Sequence, residues 1–144
     1  MSGHGPQENW TEDKRNPFFI NLETEIEKAR NAGAEFIVQI DSNSKLGNKY
    51  IEGDPHPISP NGKILSDIID RQKLIVINWS NKSKGLITRI RKTENKTNKQ
   101  GRIERSLIDL VITSEDIFSK TIKMEVFEDR KNVLHRKIKT KKWY

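Results

Sequence analysis

Glu35-Phe-Ile-Val-Gln-Ile-Asp-Ser-Asn43 is the stretch that decides the fold. Its first six residues form a short β-rich apolar run, and three small polar residues, Asp41, Ser42 and Asn43, follow at once. Upstream lies a helix signal. Asn16 can cap, Pro17 suits the first helical position, and Gly33 suits a left-handed stop. Between them Phe18, Phe19, Leu22, Ile26 and Ala29 recur at helical spacing. A helix that ends in glycine and feeds a buried strand is an α/β unit. Polar residues just past the carboxyl end of a strand are where such sheets place their sites.

Outward from this unit the pattern continues. Residues 1–15 read as an irregular leading segment, and residues 44–61 as a long loop rich in Gly, Pro, Asn and Asp. Gly62 to Arg71 carries Ile64, Leu65, Ile68 and Ile69, a short amphipathic helix. Leu74-Ile-Val-Ile77 is a second buried strand ending at Asn78, and Gly85 to Arg91 an exposed alternating one. Residues 92–105 read as a polar, basic loop. Ser106-Leu-Ile-Asp-Leu-Val-Ile112 is a third strand with Asp109 inside it. Residues 114–119 predict a helical turn. Ile122 to Phe127 alternates as a half-exposed antiparallel strand does. Asn132 to Ile138 adds one more strand before a basic tail at 139–144. The expectation is a single α/β domain over residues 1–144.

Composition excludes several classes. The 144 residues contain no cysteine, so disulfide frameworks, thiolate zinc sites and cysteine nucleophiles are out. No apolar run approaches the ~18–20 residues of a membrane span, and the start MSGHGPQENW has no signal-peptide core, which predicts an intracellular protein away from membranes. Only 33% is hydrophobic, against an ordinary ~45–50% on a count that includes Gly. The net charge of +7 is unevenly placed: −3 over residues 1–81, +7 over 82–105, −4 over 106–129 and +7 over 130–144. Two basic segments therefore bracket an acidic body. Lys84, Arg89, Arg91, Lys92, Arg102 and Arg105 are the candidate phosphate contacts in the first of them. Lys and Arg on phosphates give salt-dependent binding without sequence preference. The plain alternative is a solvated basic loop and tail.

Asp41 and Asn43 are the first candidates for chemistry. A carboxylate can act as general base, and a nearby amide can hold a phosphoryl oxygen. Asp-Ser-Asn is also ordinary turn chemistry. Asp109 stands within an apolar run, where a buried carboxylate needs partners. It reads either as a bonded structural aspartate or as a carboxylate that orients a histidine or helps hold a metal. His4, His56 and His135 show no metal-ligand spacing.

In order along the chain stand Gly5-Pro6-Gln7, Ile40-Asp41-Ser42-Asn43, Asn61-Gly62 with Leu65 and Leu74-Ile-Val-Ile-Asn78, Thr88-Arg89, and Ser106-Leu-Ile-Asp109-Leu-Val-Ile-Thr-Ser114. This series resembles the endonuclease/exonuclease/phosphatase superfamily, and within it the apurinic-endonuclease-like domains of non-LTR retrotransposons. The resemblance implies a four-layer α/β sandwich and Mg²⁺- or Mn²⁺-dependent phosphodiester cleavage in nucleic acid, DNA rather than RNA. It places the residue acting on the attacking water at Asp41, the phosphate holder at Asn43 and the histidine-orienting aspartate at Asp109. Asn78 and Ser106 take supporting roles.

The departures shape the expectation. The family supplies an Asn and a metal-binding Glu ahead of the position of Gly5, and a Ser-Asp-His motif beyond the position of Tyr144. Its active-site Tyr is His4 here, and Ser42 stands where it has Phe. The metal ligands are thus unassigned. The chain is expected to be the later half of that fold, truncated at both ends, with a mixed, largely antiparallel sheet and little activity alone. An exposed apolar face would then invite the missing half or a second copy. The alternative is a non-enzymatic nucleic-acid-binding module using segments 82–105 and 130–142. Phosphatases of inositol lipids or sphingomyelin share the superfamily, but the basic segments favour nucleic acid.

Overall fold

A computed structural model describes residues 1–48, 56–84, 89–93, 102–128 and 134–140. The chain begins with a short strand, β1 (Ser2–His4), and a long helix, α1 (Glu12–Asn31). Then come β2 (Ile37–Asp41), α2 (Pro60–Arg71), β3 (Ile75–Val76) and a 3-10 turn at Ile77–Trp79. They are followed by β4 (Ser83–Lys84), β5 (Arg89–Thr93), β6 (Arg102–Ser106), β7 (Asp109–Thr113), α3 (Glu115–Lys120), β8 (Thr121–Glu128) and β9 (Leu134–Thr140).

The central sheet runs β1-β2-β7-β3. Its β1–β2 pair is parallel, and β7 is antiparallel to both β2 and β3. A second sheet runs β4-β8-β9, and β5 with β6 forms an antiparallel pair. This is a mixed, mostly antiparallel α/β arrangement, as the sequence implied.

The core follows from strand alternation. Val38 and Ile40 of β2 pair in register with Ile112 and Leu110 of β7, and Val76 of β3 also pairs with Ile112. Directly paired residues share a face. That face is buried against Phe19 and Ile26 of α1 and Leu65, Ile68 and Ile69 of α2. On the other face Val111 packs with Ile77 and Met124 of β8. Two helices, a sheet and part of a second sheet thus form the layers.

Both long helices stop in the same way. After α1, Gly33 at φ 66° lets its own N–H reach the Arg30 carbonyl while Ala34 N–H reaches Ala29. After α2, Lys73 at φ 47° and Leu74 make the equivalent bonds to Asp70 and Ile69. These are paired C-terminal caps.

Several boundaries differ from the sequence reading. The leading segment is not wholly irregular: β1 joins the sheet, and α1 starts at Glu12 rather than after Asn16. Thr11 is the N-cap, and Glu12 and Asp13 sit in the first turn, where the helix dipole favours acids. Pro17 therefore lies inside the helix. α2 starts at Pro60, where Ser59 accepts from the Gly62 N–H at 3.2 Å. The basic loop at 92–105 contains the end of β5 and most of β6. The strand expected at 106–112 is interrupted, since β6 ends at Ser106 and β7 begins at Asp109, with Leu107 and Ile108 buried between them. Of the strand expected at 85–91, residues 85–88 lie outside the described residues. Lys139 and Thr140 belong to β9, and the rest of the expected basic tail lies outside the described residues.

Candidate functional site

Asp41 is the last residue of β2, and its partner across the ladder is Asp109, the first residue of β7. The strand pairing puts two carboxylates on the face of the sheet opposite α1 and α2. Asp109 is half-buried, in neighbouring register to the buried Leu110. The sequence placed these two acids nearly seventy residues apart; an antiparallel ladder brings them together.

Past Asp41 the backbone turns. Asn43 adopts φ 44°, a left-handed conformation that Asn tolerates better than most residues. Its N–H returns to Asp41 Oδ1 at 3.2 Å. The turn chemistry read from Asp-Ser-Asn is therefore present. It also redirects the Asn43 side chain, which does not continue the strand alternation. Asn43 Nδ2 donates to the Gly5 carbonyl at 2.9 Å and lies 3.4 Å from His4 Nε2. A carbonyl only accepts, which fixes the amide nitrogen on that side.

β1 brings His4 beside Asp41 as its parallel register partner. His4 Nδ1 lies 3.3 Å from Asp41 Oδ2, with the imidazole largely exposed. Directly after it, Gly5 N–H donates to the Asp41 carbonyl at 2.6 Å. A Cβ at Gly5 would stand 2.7 Å from the Ser42 carbonyl oxygen, so only glycine admits this approach.

Asparagines and serines hold the surrounding backbone. The buried Asn61 donates to the Pro6 carbonyl at 2.7 Å, tying the start of α2 to the segment after β1. Ser42 donates through both N–H and Oγ to the Ile108 carbonyl at 2.7 Å each, and Ser44 Oγ donates to Ser42 Oγ. Asn78 donates to the Asp109 carbonyl at 3.1 Å and accepts from Val111 N–H at 2.8 Å. Asn78 thus braces the β7 backbone at Asp109.

The expected site residues are only partly assembled. Asp41, Asn43, Asp109 and Asn78 converge at one end of the β2–β7 pair. Ser106 is opposite Arg89 in the β5–β6 pair, and its side chain lies outside the described residues. So do the side chains of Arg89, Arg91, Lys92, Arg102 and Arg105, whose backbones form the hairpin strands. Lys84 is exposed at the edge strand β4. Sequence reasoning passed over three contributors. His4 showed no ligand spacing, Asn61 read as a motif landmark, and Ser42 read as a departure. The signal for Ser42 and Asn61 is a polar residue in an apolar or glycine-adjacent context, which demands a partner when buried.

Among the described residues, no group of three or more His, Cys, Asp or Glu side chains could hold a metal ion. Asp41 already engages His4 and the Asn43 N–H through its two oxygens. These residues alone do not fit an Mg²⁺ or Mn²⁺ ion, which needs near-octahedral oxygen coordination. Also among the described residues, no helix is long and apolar enough to cross a membrane.

No protein-family model matches the sequence, and the search of curated proteins found no match. Among solved structures the chain is similar to the endonuclease domain of TRAS1, a telomere-specific non-LTR retrotransposon. The TM-score is 0.56 over 88% of this chain and 48% of that one, at 14% identity. The chain spans about half the length of that domain. The likeness establishes a partial endonuclease-like fold.

Proposed function

We propose that this chain is a partial or degenerate phosphodiesterase domain of the retroelement endonuclease type, binding nucleic acid and cleaving it weakly or not at all by itself. The observation that carries the reading is the Asp41–Asp109 pair, in register on one face of a sheet whose fold is similar to an endonuclease domain. Phosphodiester hydrolysis needs a base for water, donors for the phosphate oxygens and a metal ion for the developing charge. Asp41 can serve water, but the described residues do not complete a metal site. Mg²⁺ or Mn²⁺ binding would need further ligands.

Plasmid nicking in Mg²⁺, with Asp41→Ala as control, tests the catalytic half of the reading. The expected result is little or no nicking. Robust nicking abolished by Asp41→Ala would overturn the inactive assignment.

A second reading, a nucleic-acid-binding module without catalysis, is favoured by the β5–β6 hairpin. Five of its ten residues are Arg or Lys. Each phosphate neutralised on DNA steepens the salt dependence of log affinity by about 0.9. A salt titration of duplex and single-stranded DNA is expected to show steep loss of binding. A flat response removes nucleic acid as the partner.

A further inference from the structure

The His4–Asp41–Asn43 cluster has a property that neither carboxylate has alone. The Asn43 amide nitrogen only donates, so at 3.4 Å from His4 Nε2 it requires that nitrogen to be unprotonated. In the neutral ring the proton then sits on Nδ1, which lies 3.3 Å from Asp41 Oδ2. The contacts thus select one tautomer of neutral His4: Nδ1–H inward on the carboxylate, Nε2 outward. The contact to Asn43 is long, and the imidazole is 72% exposed, so a ligand can reach Nε2 without unfolding anything.

Electrostatics then defines what the position lacks. Asp41 and Asp109 give this end of the sheet two carboxylates in register. A phosphodiester anion arriving there meets like charge, and Asn43 has both amide hydrogens directed at protein acceptors, Gly5 O and His4 Nε2. His4 is the basic side chain paired with Asp41, and it can supply both a donor and a positive charge by taking one proton.

Resting on the reading of this site as phosphodiester-facing, we propose that His4 is a phosphate-contacting residue whose imidazole becomes doubly protonated when a phosphodiester binds. Nδ1–H stays on Asp41, which acts as the positioning residue. The proton taken from solvent goes to Nε2, which leaves Asn43 and donates to a non-bridging phosphate oxygen. An N–H bond forms at Nε2 and an O–H bond of hydronium breaks; no phosphoester bond is made or broken. Among the described residues the acids beside the imidazole are Asp41, in contact, and Asp109, across the ladder from Asp41. Because a proton is taken up, binding weakens as pH rises.

The test uses the ¹⁵N-labelled full chain and a short oligo-deoxythymidine at low salt. Long-range ¹H–¹⁵N correlation spectra distinguish the two neutral tautomers and the imidazolium, and His4→Phe assigns the His4 signals. In the free protein His4 is expected as the Nδ1–H tautomer, and Asp41→Asn is expected to lose that preference. With oligonucleotide, His4 shifts to the imidazolium pattern while His56 and His135 act as internal references. His4→Phe is expected to weaken binding about tenfold, the worth of one charge-assisted hydrogen bond. Tight, salt-sensitive binding with an unmoved His4 signal and unchanged affinity in His4→Phe would overturn this proposal and leave nucleic-acid binding standing. No oligonucleotide binding at any salt would overturn both.

Discussion

Asn78 completes a ladder that its own strand abandons, by clamping the backbone at Asp109. β3 pairs with β7 only through Ile75 and Val76. The chain then enters a 3-10 turn, and the Asn78 side-chain amide takes over. It donates to the Asp109 carbonyl and accepts from Val111 N–H, as a strand peptide would. Asp109 is in turn the ladder partner of Asp41. One amide therefore braces the backbone that carries one of the two paired carboxylates.

Asn78→Ala is expected to destabilise the protein by about 1–3 kcal/mol, because it strands a buried backbone N–H and a carbonyl without partners. Urea unfolding measures this. Equal stability of the variant and the parent would remove the clamp from the account.

The start of α2 depends on two small residues. Ser59 caps the helix through the Gly62 N–H, and it also accepts from Lys45 N–H at 2.9 Å. A Cβ at Gly62 would run into the Lys45 carbonyl oxygen. Ser59→Ala is expected to cost about 1 kcal/mol, the usual value of a lost N-cap. Gly62→Ala is expected to cost more, since backbone must shift to admit the methyl group. Thermal melts of both variants give the order.

Lys73 holds a left-handed conformation at the end of α2 where α1 uses Gly33. A non-glycine residue there carries about 1–2 kcal/mol of steric cost, partly offset by the greater unfolded-state freedom of glycine. Lys73→Gly is expected to raise stability by about 0.5–1 kcal/mol, read from the urea midpoint.

Glu23 on α1 and Arg71 on α2 join the two helices over the core. Arg71 Nε and Nη2 reach the two carboxylate oxygens at 3.1 and 2.7 Å. The Arg71 hydrogen bonds hold the Glu23 carboxyl below the usual carboxylate range; burial acts against them, and Gln72 and the Arg71 charge act with them. A depressed folded-state pKa stabilises at pH above the unfolded value, and that stability is lost as pH falls through the folded value. Glu23→Gln is therefore expected to lower Tm slightly at neutral pH and to flatten its fall below the carboxylate range. Tm measured against pH checks both limbs.

Much of the architecture was legible in the residues. The apolar runs at 35–40 and 107–112, the helical spacing at 18–29 and 64–69, and Gly33 as a stop all mark local preference that tertiary packing then honours. The errors fall where two local signals compete. Asn16-Pro17 reads as a start signal, but the helix begins at Thr11-Glu12-Asp13, since a helix whose apolar face packs on a sheet can carry an early proline. The continuous apolar run over Leu107 and Ile108 hid a break between strands, because both residues are buried whether or not they pair.

By itself the sequence determined the two long helices and the strand before Asp41, the lean core, the two basic segments and the candidate acids. Those are local or additive properties: hydrophobic period, capping chemistry and charge count. Only the tertiary structure decided that Asp41 faces Asp109, that Asn78 braces the latter, and that His4 stands against Asp41 and Asn43. Register is the reason. A one-residue slip of β2 on β7 would separate the two carboxylates and turn Ile40 out of the core. The pairing is chosen by burial of Val38, Ile40, Leu110 and Ile112 against the helices, and the polar residues at the strand ends are placed as its consequence.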